Sequence, residues 1–338
     1  MSNRLTSVTN KYLLPKVVDT ILGSNVFATR MLASAQKWKG QTIEKSIKKS
    51  KNTNGGSFSG LDTFSTAEAD TRITLSFSPK FYEIPVVVEL SELSINQSDP
   101  NRVADLAAIE MESAAEDAAD DIGTMFYGDG TGNSSKDFLG LEAIVDDGTN
   151  AATYGGQTRA TYTTLKSTVT AATSNKLSLA QMATLYNAIS SGSVKPTLGL
   201  TTETIFSLYE QLLNPQERIS KDVAMMRNGM TGGAGFTGLF YKGFPILADE
   251  KCTSGVLYFV NEDFLEYRAL PMAKTEAINY GMVFEGNDYT NVKGLGFSWS
   301  GWIIPSNQAA LIGHIYLGGE LWSSNPKRHG KLTGITTV

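Results

Sequence analysis

Few residues in this chain are suited to bond-making chemistry. Its 338 residues include two histidines, His314 and His329, and one cysteine, Cys252. His314 lies in the apolar run ALIGHIYLGG and reads as a core histidine whose ring nitrogens are satisfied by neighbours, while His329 lies in the basic tail NPKRHGK. Cys252 has no histidine near it in sequence and no serine occupies a G-x-S-x-G elbow, so nucleophilic catalysis finds no support. The cofactor motifs fail as well. Gly128, Gly130 and Gly132 form G-x-G-x-G and follow a helical segment where a dinucleotide site requires a strand. Asp129, Thr131 and Asn133 have the spacing of a calcium loop, but Ser134 stands where glycine is required and Gly140 where the bidentate glutamate is required. Gly233, Gly235 and Gly238 match G-x-G-x-x-G, yet Gly243 and Pro245 follow where a helix should begin, which favours a loop. The expectation is a chain with no catalytic residue, no cofactor and no metal.

Charge is the remaining chemical resource. The formal net charge is −5, so the chain as a whole is no basic glove for nucleic acid. Two basic clusters interrupt that balance. KSIKKSK holds Lys45, Lys48, Lys49 and Lys51 near the N-terminus, and Lys327, Arg328 and Lys331 lie near the C-terminus. The second trio is able to touch phosphates, though three charges release few counterions, and a solvated chain end is the equal alternative.

Elements must position these charges. The lysine cluster sits on an entering strand, QTIEKSIKK, and a return strand follows in TRITLSFSPKFYEIPVVVEL, where Ile73, Leu75 and Phe77 alternate with polar residues. Between them run about twenty residues without periodicity, longer than a compact domain tolerates without a functional reason. The entering strand offers only Ile43 and Ile47 as apolar anchors, and an isolated hairpin is marginal in water, so the ribbon is expected to lean on a surface outside its own chain. A long helix is expected from Pro100 to about Tyr127, capped by Ser98 and Asp99, with Ala107, Met111, Ala114, Ala118, Ile122 and Met125 on one face. Its other face carries Glu110, Glu112, Glu116, Asp117, Asp120 and Asp121. Glu112, Glu116 and Asp120 stack at four-residue spacing and repel one another, so this face is either simply solvated or awaits a basic partner.

Before the hairpin, Pro15, Val18, Ile21 and Leu22, then Phe27, Ala28, Met31 and Leu32, suggest a helical arm. After residue 139 a second subdomain is expected. Ser178 and Gln181 form a capping box for a helix with Leu179, Met182, Tyr186 and Ile189 on one face, and Ile205, Leu208 and Leu212 mark another. FPILADE, GVLYFVN and QAALIGHIYLGG read as strands of a shared sheet, with an antiparallel return between the last two. No apolar run reaches bilayer length and the N-terminus lacks the core of a signal peptide, so no membrane partner and a reducing cytoplasm are expected.

This order of parts, together with FYGDGTGN, FLGLEAI, LTTETIFSLYEQL, GFPILADE and SSNPKRHGKL, resembles the major capsid proteins of tailed double-stranded DNA bacteriophages. The resemblance implies an α+β fold of the Hong Kong 97-like kind: an N-arm over 1–39, an extended E-loop hairpin over 40–90, a P-domain over 91–138 and 263–304 with its spine helix at about 99–127, and an A-domain over 139–262 and 305–338. It implies a non-enzymatic coat protein assembling through pentamers and hexamers into an icosahedral shell around phage DNA, built in the host bacterial cytoplasm and residing in the virion. A portal protein, a decoration protein and packaged DNA would be partners. Only about forty residues precede the loop, which implies a separate scaffolding protein. In such proteins the extended loop lies across the P-domain of the adjacent subunit. Carried onto this chain, Lys45, Lys48, Lys49 and Lys51 would face Glu112, Glu116 and Asp120 of a neighbour, with Ile73, Leu75 and Phe77 adding apolar contact. Gly55, Gly56, Gly60, Gly123 and Gly128 are candidate hinges. The alternatives are an encapsulin-type compartment with the same fold, an enzyme whose site is assembled from distant residues, and a β-rich tail component or adhesin.

Overall fold

The most periodic segment of the chain forms its longest element, helix α2 (Pro100–Tyr127). In the computed structural model the described residues are 25–95, 100–213, 238–270, 276–277 and 297–338. The arm before residue 25, the cap at 98 and 99, the helix stop at 214 and 215, residues 233–237 of the third glycine stretch and most of the expected antiparallel return lie outside them. Along α2, Met111, Ala114, Ala118 and Ile122 are buried as their spacing requires, and Phe126 takes the last core position while Met125 is half-buried. The alanine-rich face lets helix α1 (Val26–Ala33) approach closely. Asn25 Nδ2 donates to the Ala119 carbonyl at 2.6 Å, and a Cβ at Gly123 would stand 2.6 Å from the Asn25 amide. Gly123 is therefore a packing contact and not a hinge.

Two sheets flank this helix. The first joins β1 (Gln36–Lys37), β12 (Leu265–Ala269), β15 (Ala310–Ser323), β14 (Phe297–Trp299) and β13 (Glu276–Ala277) in that order, with β4 (Lys80–Glu89) also paired to β15. The second runs β7 (Thr168–Ala171), β16 (Gly330–Thr333), β11 (Leu257–Val260), β8 (Leu198–Thr201), β10 (Phe244–Ala248) and β9 (Gly238–Tyr241). Every residue of β8 and β11 is buried, as expected of strands covered on both faces. Helices α3 (Leu179–Ile189) and α4 (Glu203–Leu212) cover this sheet. Ser178 Oγ caps α3 by accepting from the Gln181 amide, and Met182, Leu185 and Ile189 form its buried face, with Leu179 turned out. In α4 the buried residues are Ile205, Phe206 and Tyr209, because the two rings offer more apolar area than Leu208 and Leu212.

The shared-sheet expectation needs correction. FPILADE and GVLYFVN lie in the second sheet, but β15 ladders with β4 from Ala310↔Glu89 to Gly319↔Lys80 and so belongs to the first. The tail changes sheets after Ser323, and only β16 joins the second.

Buried polar groups fix that crossing. His329 is fully buried: its Nδ1 accepts from the Asn261 amide at 3.2 Å, which puts the proton on Nε2, where it donates to Ser323 Oγ at 2.7 Å. Burial pushes its pKa down to about 3. His314, expected in the core, instead lies partly exposed with Nδ1 2.7 Å from Glu83 Oε2 and its ring stacked on Tyr316. The two histidines have exchanged their expected roles, because β16 is an interior strand whereas His314 occupies an outward position on β15. Lys331 is likewise buried on β16, its Nζ 3.9 Å from Asp146 Oδ1, and Asp146 also faces the fully buried Arg159. Lys331 cannot reach a phosphate. Glu320 accepts from the Leu139 and Leu321 amides beside Lys80, and burial raises its pKa to about 7.

The hairpin pairs β2 (Ile43–Lys48) with β3 (Arg72–Phe77), in register from Ile43↔Phe77 to Lys48↔Arg72. Its root does not wait for another molecule. Ser76 N donates to the Gly155 carbonyl at 3.0 Å, Gln157 Nε2 donates to the Thr74 carbonyl at 3.0 Å, and the Phe77 ring lies 5.2 Å from Tyr154 and 5.7 Å from Trp322. Ile73, Leu75 and Phe77 are buried in the chain's own core. Gly155 makes the seat: its φ is +54°, and a Cβ there would stand 2.9 Å from Leu75 Cβ and from the Phe77 ring. Only residues 49–71, nearly all exposed and without a regular strand, project from this root.

Two outcomes check this account. Gly155→Ala should destabilise the hairpin root by about 1–3 kcal/mol, from overpacking and the unfavourable left-handed backbone. Hydrogen exchange should show lost amide protection at residues 73–77 and none lost in β8 and β11; unchanged protection at the root would contradict the seat. For His329, the folded pKa lies below the ordinary value of 6.5, so the unfolded chain binds the extra proton between pH 6.5 and about 3. Its contribution is complete above pH 6.5 and is lost on acidification, at up to about 1.4 kcal/mol per pH unit. The stability difference between wild type and His329→Gln should follow that slope in denaturant titrations. Taking the difference cancels Glu320, whose raised pKa acts with the opposite sign, its contribution being lost as pH rises through about 7.

Candidate assembly interface

The fold brings together two clusters that lie at opposite ends of the sequence. Lys45, Lys48 and Lys51 of the hairpin and Lys327 and Arg328 of the Pro326–Arg328 turn line one groove of about 720 Å³, with Asn325 at its margin. Lys49 also borders it but is engaged within the hairpin, with its Nζ 2.5 Å from Asp70 Oδ2 and 5.7 Å from the Tyr162 ring centroid. That bond holds the Asp70 carboxyl below its ordinary pKa. Arg328 Nη1 donates to the Ile189 carbonyl at 3.2 Å, which fixes the guanidinium without neutralising it. Among the described residues, Lys45, Lys48, Lys51 and Lys327 make no ion pair. A groove with this many uncompensated cations favours an anion.

The acidic face of α2 is exposed, as its spacing suggested. Asp120 pairs with Lys251 of the same chain, and Asp121 accepts from the Tyr82 hydroxyl at 2.8 Å, whose pKa is pushed up by burial and by the Asp121 carboxylate. Glu110, Glu116 and Asp117 have no ion pair among the described residues. Among the described residues, no ion pair joins the groove's cations to Glu110, Glu116 or Asp117 of α2.

The apolar part of the expected contact is corrected. Ile73, Leu75 and Phe77 are turned inward, because the face of β3 that alternation marks as apolar packs on Tyr154, Gly155 and Trp322. At the projecting tip, Phe58, Leu61 and Phe64 are 66%, 103% and 65% exposed, with the two rings edge to face at 5.0 Å. Their three-residue spacing in the otherwise polar SFSGLDTF was the available signal. Large apolar groups held out in this way mark a contact surface.

The chemistry-bearing residues are otherwise absorbed by the fold. Cys252 is buried and its thiol pKa is pushed well up by desolvation, which disfavours a thiolate. The Ser323–His329 pair cannot activate the serine, since the imidazole donates to it. Asp129 caps its own turn by accepting from Thr131. Among the described residues, no group of three or more His, Cys, Asp or Glu is placed to hold a metal ion, and no helix is long and apolar enough to cross a membrane.

No family model matches the sequence, and no curated protein matches it. Solved structures nevertheless share its fold. The capsid of cyanophage A-1(L) matches with a TM-score of 0.65 at 15% identity, covering 93% of each chain. The capsid of Myoviridae phage XM1 matches at 0.53 and 15% identity, over 92% of this chain and 91% of that one. An encapsulin complex from Synechococcus elongatus PCC 7942 matches at 0.54 and 12% identity, over 91% and 87%. The chain has the α+β, Hong Kong 97-like capsid fold over nearly its whole length.

Proposed function

We propose that this chain is a major capsid protein: a structural subunit, not an enzyme, that assembles through pentamers and hexamers into an icosahedral shell around phage double-stranded DNA. The observation that carries this reading is the hairpin. Its root is bonded to its own body, while its tip holds Phe58, Leu61 and Phe64 in solvent with no surface among the described residues to cover them. In a closed shell the adjacent subunit is the recipient of such a projection.

In this reading Lys45, Lys48 and Lys51 face Glu112, Glu116 and Asp120 of the neighbour. An exposed ion pair contributes about 0–1 kcal/mol, so no single one holds the shell. Closure multiplies them, because each subunit of a ring gives one contact and receives another. The finished shell resides in the virion after assembly in the bacterial cytoplasm, with a scaffolding protein, a portal and a decoration protein as partners. DNA is enclosed without sequence preference. The encapsulin match supports a second reading, a compartment for protein cargo, and the contents of purified particles separate the two.

Purified protein examined by sedimentation and negative-stain microscopy should give closed shells, or rings of five or six. A compact monomer at every concentration would refute the proposal. Replacing Lys45, Lys48 and Lys51 together by Glu should stop assembly while leaving the circular dichroism spectrum unchanged, and Phe58→Ser with Leu61→Ser and Phe64→Ser should do the same. Normal shells from both variants would remove the hairpin from the interface.

A further inference from the structure

We infer that the turn bearing Lys327 and Arg328 is the second jaw of an intersubunit clamp, closing with the hairpin lysines on the acidic strip of a second copy's α2. This rests on the shell reading and assigns the tail cations to a protein contact in place of DNA.

Geometry supplies the first ground. The hairpin and the turn line one groove together, so an anion entering it meets Lys45, Lys48 and Lys51 from one element and Lys327 and Arg328 from the other. The turn is preorganised. Ser167 Oγ donates to the Pro326 carbonyl at 2.7 Å, Asn325 N donates to Ser323 Oγ at 3.2 Å, and His329 anchors the next residue from below. Cations presented from so fixed a turn lose little freedom when an anion arrives.

Charge balance selects the occupant. The chain carries both a surplus of cations in the groove and a surplus of anions on α2, at Glu110, Glu116 and Asp117. Docking one on the other cancels both in a single contact. A DNA strand in the groove would neutralise the cations and leave every acidic strip facing its neighbours uncompensated. The burial of Lys331 also removes one of three cations that a phosphate contact would have used. On the helix, Asp117 stands two turns from Glu110 on the same face, about 10 Å along the axis, with Glu116 to one side of that line, so a groove of this kind can take the pair without admitting the whole helix.

The test uses the full chain and reads the threshold concentration for assembly in DNA-free buffer by light scattering. Lys327→Glu should raise the threshold by about threefold to tenfold, and Lys327→Glu with Arg328→Gln by about tenfold or more, roughly the effect of one or two lost ion pairs. Adding Glu116→Lys or Asp117→Lys to Lys327→Glu should bring the threshold back toward wild type in at least one combination. The milder Lys327→Gln, which cannot repel the turn's neighbours, should move the threshold in the same direction by a smaller factor. Unchanged thresholds in all of these variants, or failure of both charge exchanges to rescue, would overturn the inference. So would variants that assemble normally and differ only in binding a short DNA duplex, an outcome that leaves the shell reading intact. Absence of rings or shells from the wild-type chain would instead defeat the reading on which the clamp rests.

Discussion

One strand holds the working parts of this molecule in a fixed relation. The first ten residues of β15 ladder with β4, the strand that returns from the hairpin, and its last five ladder with β12. Its final residues then touch both sides of the groove: Trp322 packs on Phe77 at the hairpin root, and Ser323 bonds the buried His329 behind the basic turn. The separation of hairpin and turn is thus set by a continuous hydrogen-bonded strand, not by two independent loops. A backbone ladder of that length opens only with the core, which gives the groove the rigidity that a repeated contact surface needs.

Electrostatics in this chain is a matter of placement more than of amount. A net charge of −5 says little, yet among the described residues the cations of the groove and Glu110, Glu116 and Asp117 of α2 lie on two surfaces with no ion pair between them. Separation of this kind is costly to an isolated subunit and favourable to a pair. Because both surfaces are exposed, the attraction is screened over about 8 Å at physiological ionic strength and acts as a steering and register term.

The long helix and the existence of the hairpin were legible because both depend on local periodicity, 3.6 for Met111 to Ile122 and two for Ile73 to Phe77. What alternation could not disclose was the surface that receives the apolar face. For Ile73, Leu75 and Phe77 it lies some eighty residues away at Tyr154 and Gly155, and nothing in the local sequence YGG advertises the fit. The same limit explains the exchanged histidines. Sequence neighbours made His314 look buried and His329 look solvated, whereas burial was decided by tertiary placement: His314 takes an outward position on β15, and His329 is enclosed just before β16. Lys331 was misjudged for the same reason, and the convergence of Lys48 with Lys327 is a tertiary fact with no local trace. Of the candidate interface, the charges were readable and their partnership was not.

The division of labour between the tip and the groove follows from magnitudes. Burying a large apolar side chain is worth about 1.5–3 kcal/mol, several times an exposed ion pair, so Phe58, Leu61 and Phe64 are the stronger adhesive per residue. They are also the less specific one, since apolar contact has little directional preference. The tip must in addition lose conformational freedom on docking, at about 1–2 kcal/mol for each residue that becomes ordered, which offsets much of its apolar gain. The root escapes that cost because it is already seated on Gly155. A single contact is then weak enough to break and re-form, while a closed ring, in which every subunit is held on both sides, is not. Weak adhesion at a projecting tip combined with register set by a charged groove is the combination that lets misplaced subunits leave before closure makes them permanent.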